Sequence, residues 1–287
     1  MRTVRTGPLI GLIAQLALLA ALASTVGLDA AGWIIGVACG VGINTTLALG
    51  LVRYGDNALG PADRVTLARA TLVGGIAALT ADSFAHPAPV PTLVTLIVIA
   101  LIGDGIDGWV ARRTATASTL GARFDMEVDA FLILVLSVYV ARSAGAWVLA
   151  IGTARYAFVA AGWVLPWMCG SLPPRYWRKV VAAVQGIVLA FATTGDALGF
   201  WTDAALVGAL ALLTESFGRD VWWLWQHRVS ESLQVDALSP QPESANALMN
   251  RTAIGTVLVM EILLERAHGA RRRATADRPE PVRGRDR

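Results

Sequence analysis

Apolar residues gather into stretches near the ~20 residues that a membrane-crossing helix needs. They run over 8–28, 31–52, 62–80, 90–110, 121–141, 145–167, 180–195 and 203–225, and short breaks rich in Pro, Gly and charge, such as HPAPVP (86–91) and GSLPPRYWRK (170–179), divide them. The pattern predicts eight helices, with 180–195 and 203–225 the least sharply bounded. From residue 229 onward the chain turns polar, and its last stretch, ARRRATADRPEPVRGRDR, has the composition of a disordered tail. Within that tail, 253–264 is apolar but too short to span. It reads either as a helix lying on an anionic lipid surface or as a small packed helix.

Composition agrees with the pattern. The chain is 55% hydrophobic and 16% charged, where soluble domains carry about 25% charged residues. This is the composition of an integral membrane protein. A net charge of +3 gives no reason to expect a nucleic-acid partner. Cys39 and Cys169 lie far apart in apolar surroundings and suggest neither a disulfide framework nor a metal site. Lys179 is the only lysine, and the arginine and alanine bias suggests a GC-rich bacterial gene.

Charge placement sets orientation, because cytoplasmic loops collect Lys and Arg. With the N-terminus inside, the inner segments hold Arg2, Arg5, Arg53, Arg64, Arg112, Arg113, Arg175, Arg178, Lys179, Arg219 and Arg228. The outer ones hold Arg142, Asp82, His86, Asp196 and Asp203. Both termini and the 112–121 turn are therefore expected on the cytoplasmic side of the cell membrane. MRTVRTG and the small residues near 22 also fit a secretory leader, although the apolar run is long for one. Trp33, Trp109, Trp147, Trp167, Trp201, Trp222, Trp223 and Trp225 fall near span ends, as an interfacial belt does.

Against this background four carboxylates stand out: Asp104, Asp107, Asp125 and Asp129. Each costs on the order of 2.5–3.5 kcal/mol at membrane depth, so a compensating cation is expected between them. Asp104 and Asp107 are i and i+3, and Asp125 and Asp129 are i and i+4, so each pair shares a helix face. A short turn between the two helices makes them antiparallel and lets the acidic faces meet. An oxygen-only donor set suits Mg²⁺ or Mn²⁺, and four carboxylates suffice for two ions that clamp a phosphoryl group. Gly103, Gly105 and Gly108 weaken the helix by about 1 kcal/mol each, which points to a close approach of ligand or partner helix. Arg112, Arg113 and Arg123 offer charge for an anionic substrate, and Ser118 a hydroxyl.

The spacing D-x2-D-G-x2-A-R-x8-G-x3-D-x3-D, from Asp104 to Asp129, resembles the signature of the CDP-alcohol phosphotransferase family. PADRVTLARA (61–70), with Thr66 and Arg69, is similar to that family's opening helix, and RKVVAAVQG (178–186) to its basic segment. The resemblance covers about 61–228. It implies an all-α membrane fold with a six-helix core, preceded by two extra helices (1–60) and followed by a cytoplasmic tail (229–287). It also implies transfer of a substituted phosphate, from CDP-diacylglycerol or another CDP-linked donor to an alcohol, with release of CMP. By similarity Asp104, Asp107 and Asp125 hold the metals and Asp129 is both ligand and general base. Gly108, Arg112 and Ser118 contact the CDP moiety, Arg69 lies near its phosphates, and homodimers are common.

Arg155, deep in the sixth span, together with Arg178 and Lys179, is expected to form the pocket for a phosphorylated alcohol acceptor. Glu215, Arg219 and Asp220 read as a pocket lining or a solvated helix end. After Asp129 this chain has Ala130 and Phe131, not the lysine frequent in the glycerophosphate-using branch. Two other readings compete: a divalent-cation channel or transporter, and a non-catalytic scaffold. The first expects acids spread through the bilayer depth; the second has no need of Asp129.

Overall fold

In hydrocarbon every backbone N–H and C=O must be bonded within the protein, so an apolar chain without closed strands forms helices. The computed structural model describes residues 6–54, 59–114, 118–170, 172–173, 175–195 and 199–235. Among them are eight α-helices and no strand: α1 (Thr6–Thr25), α2 (Ala30–Tyr54), α3 (Pro61–Asp82), α4 (Val90–Thr114), α5 (Thr119–Ala144), α6 (Leu149–Val164), α7 (Tyr176–Ala192) and α8 (Phe200–Val235). Six regions are long and apolar enough to cross a membrane: α1, α2, α3, Val90–Val110, Ala146–Val164 and Phe200–His227. Of the other two helices, α5 carries Arg123, Asp125, Glu127 and Asp129 in its first half, and α7 has 17 residues.

The centre of the fold is α3. Of its span, 72% is buried inside the protein, against 22–33% for the other five. Its small residues explain this, since Ala70, Gly74, Gly75, Ala77 and Ala78 let α1, α2, α4 and α5 pack close around it. At Gly74 a Cβ would lie 2.5 Å from Gln15 Oε1 of α1. Val73, Ile76 and Leu79 of α3 meet Leu93, Ile97 and Ala100 of α4 and Leu132, Leu136 and Val140 of α5. Lipid tails are as apolar as leucine, so these contacts stabilise through packing more than through dehydration.

Helix ends place the site. Pro61 opens α3, and the Asp63 carboxylate accepts the Gly60 N–H at 3.0 Å, satisfying one orphan donor of the first turn. Ser118 caps α5 by accepting the Gly121 N–H at 2.8 Å. With α4 and α5 antiparallel, Arg69 lies eight residues after Pro61, Asp107 seven before Thr114, and Asp125 and Asp129 six and ten after Thr119. At 1.5 Å per residue, these side chains start at a common depth of roughly 9–15 Å from one end of the bundle.

Two expectations are corrected in detail. The sixth span is not one helix over 145–167: Gly145, at φ +102°, closes α5, a 3-10 turn follows over Ala146–Val148, and α6 stops before Pro166. Leu165 takes φ −118°, ψ 89°, because the proline ring excludes the helical conformation from the residue before it. The last span is also longer than 203–225. α8 has 36 residues, about 54 Å at helical rise, so it outruns a hydrocarbon core of about 30 Å. The expected tail begins as the last turns of α8 over 229–235, and the rest of it, with the expected helix at 253–264, lies outside the described residues.

Candidate active site

Five charged side chains from three helices converge at that common depth. Arg69 of α3 is 2% exposed, and its aliphatic stem runs along α4 at Gly103, where a Cβ would stand 2.7 Å from Arg69 Cγ. This is the close approach that the glycine was expected to serve. Arg69 Nε donates to the Ala100 carbonyl at 3.1 Å. Nη1 donates to Asp107 Oδ2 at 2.7 Å and to Asp125 Oδ1 at 2.5 Å. Nη2 donates to Asp129 Oδ1 and lies 3.4 Å from Asp104 Oδ1. Thr66, one turn before Arg69, donates its hydroxyl to Asp107 Oδ2 at 3.3 Å.

All four sequence-predicted aspartates therefore meet, and the two acidic faces do face each other. One guanidinium meets four carboxylates, which leaves a formal surplus of three negative charges. Asp107 is buried, while Asp104, Asp125 and Asp129 open toward solvent. Asp104, Asp107 and Asp125 each offer an oxygen, all within 4.8 Å of one another. Nothing would lie within 4 Å of a Cβ at Gly105. An oxygen-only donor set, surplus negative charge and open space fit a hard divalent cation.

The remaining predicted contacts are more dispersed. Gly108 is half-buried in α4, and the Arg112 side chain lies outside the described residues. Ser118 is the α5 cap, its hydroxyl engaged by the Gly121 N–H. Arg113 stacks over Trp109 at 5.0 Å and Arg123 lies 5.9 Å from the Tyr54 ring. Arg155 pairs with Glu127 of α5 at 2.5 Å. Glu127 is two residues from both Asp125 and Asp129, so it points to the opposite side of α5 from them. Arg178 of α7 grips Asp220 of α8 with two contacts of 2.8 Å, and Lys179 is exposed. Gln185, in the same basic segment, donates to the Ala209 carbonyl at 2.8 Å and ties α7 to α8.

Among Glu215, Arg219 and Asp220, the two expected readings divide. Asp220 is buried in its pair with Arg178, whereas Glu215 and Arg219 form an exposed i,i+4 pair. Sequence reasoning passed over Glu127 and Asp63. Asp63 was legible from its place two residues after Pro61 in a first helical turn. Glu127 was not, because nothing in its neighbours points to Arg155.

Fold and site together define a helical membrane protein with an acidic, metal-competent centre at one end of its bundle. The family model of CDP-alcohol phosphatidyltransferases matches residues 60–216, more than half of the chain, and the protein belongs to that family. The match starts at α3 and leaves α1 and α2 outside it. No curated protein and no solved structure matches the chain. Family membership makes the protein a transferase that uses a CDP-linked alcohol as donor and an alcohol as acceptor in a membrane.

Proposed function

We propose that the protein makes a phospholipid, moving a phosphatidyl group from CDP-diacylglycerol to an alcohol and releasing CMP at the cytoplasmic face of a bacterial cell membrane. The observation that carries this reading is the convergence of Asp104, Asp107, Asp125 and Asp129 on one buried arginine. Asp104, Asp107 and Asp125, with Asp129 shared, are the residues to hold two Mg²⁺ or Mn²⁺ ions. Once bound, such ions neutralise a diphosphate and favour departure of CMP.

The chain's own residues do the rest. Asp129 is open to its surroundings and takes the proton of the acceptor hydroxyl as that oxygen attacks the β-phosphorus. Arg69, buried among the four carboxylates, is the proposed source of positive charge near the diphosphate, and Gly108, Arg112 and Ser118 are the proposed contacts of the CDP moiety. Carboxylates roughly 9–15 Å inside the bundle end let a polar nucleotide enter from water while acyl chains stay in lipid. Arg155, Arg178 and Lys179 remain the proposed acceptor contacts. A phosphorylated acceptor must compete there with Glu127 for Arg155 and with Asp220 for Arg178.

The test is CMP release by purified protein in detergent with Mg²⁺, CDP-diacylglycerol and a panel of alcohols, beside CDP-choline with diacylglycerol. Metal-dependent release that is lost in Asp129→Asn supports the proposal. Cation flux in liposomes without CMP release points to transport instead.

A further inference from the structure

The Arg69 guanidinium is shared among all four carboxylates at once. Arg69 is 2% exposed, its stem packs against Gly103 and its Nε donates to the Ala100 carbonyl, so the guanidinium is held away from water. Its positive charge is therefore a permanent part of the site's electrostatics.

From this we infer that Arg69 makes occupancy by the second metal ion conditional on the substrate diphosphate. The inference rests on the metal-dependent transferase reading above. Four carboxylates and one guanidinium carry a formal charge of minus three. One divalent ion brings the centre to minus one, which remains attractive to cations. A second brings it to plus one, an excess cation held close against a buried guanidinium, and this is unfavourable. A diphosphate adds at least two negative charges, so the full set of two ions becomes favourable only when the nucleotide arrives. By linkage the ion must in turn tighten nucleotide binding by the same factor. Without Arg69 the four carboxylates balance two divalent ions by themselves, and the dependence on nucleotide disappears. Arg69 is a positioning residue in this role, acting on the ions and the diphosphate through charge.

Mn²⁺ binding to the full chain in detergent, counted by the loss of the free-ion electron paramagnetic resonance signal with and without CDP, tests the inference without any turnover. Wild-type protein is expected to bind one ion tightly alone, and a second with affinity on the order of tenfold or more higher when CDP is present. Arg69→Gln is expected to bind two ions equally well with or without CDP, and Arg69→Lys, which keeps the charge, to restore the dependence. Two tight ions in wild-type protein without CDP overturn the inference while leaving the transferase reading intact. A second ion that still requires CDP in Arg69→Gln does the same. No Mn²⁺ binding under any condition overturns both. Should Arg69→Gln fail to fold, the wild-type count and Arg69→Lys decide.

Discussion

Two ways of placing charge inside a membrane occur side by side in this bundle. Where α3, α4 and α5 meet, four carboxylates share one arginine. Where α5 meets α6 and α7 meets α8, each arginine has one acid: Arg155 with Glu127, and Arg178 with Asp220. A one-to-one pair is electrically closed, and without a bound acceptor it fixes one helix against another. The four-to-one cluster is open by three charges and gains from a cation. Number, more than burial, separates the two: Asp220 is about as buried as Asp107, yet only Asp107 belongs to a centre with charge to spare.

Neutralising an acid should affect chemistry in one region and stability in the other. Asp129→Asn is expected to lower CMP release by about 10²–10⁴-fold, the usual worth of a general base. Its unfolding midpoint in detergent should stay level or rise, because one of four repelling charges has gone. A marked loss of stability in that variant would blur the distinction. Arg69→Ala does the reverse within the same cluster: it leaves the buried Asp107 without its partner, and unfolding without added metal should show a loss of about 3–5 kcal/mol.

In the closed region, Glu127→Gln should cost about 1–3 kcal/mol by stranding the Arg155 charge, read by the same unfolding measurement. Its CMP release with a neutral alcohol should stay within a few-fold of the parent. At the lower end, Arg219→Ala removes one half of an exposed i,i+4 pair and should change stability by less than about 0.5 kcal/mol.

Much of this was legible in the chain itself. Helix number and order followed from apolar stretch length, because the bilayer fixes that length and forbids unpaired backbone. The four aspartates were visible because i,i+3 and i,i+4 spacings determine a shared face before any fold is known. What escaped notice depends on pairing between distant segments. Arg69 was placed near phosphates by its motif, but its grip on all four carboxylates requires α3 to pack between α4 and α5 at matched depth. Glu127 and Arg155 are 28 residues apart, and no local periodicity ties them together. The break before Pro166 was readable from the proline alone; apolar continuity across 145–167 concealed it.

Chelation tests the central claim most directly. CMP release from CDP-diacylglycerol and an alcohol is measured before exhaustive EDTA treatment, after it, and again after Mg²⁺ or Mn²⁺ is returned. Activity that disappears on chelation and comes back with either ion is the predicted result. CMP release that persists in metal-stripped protein would contradict an acidic centre built to hold divalent cations.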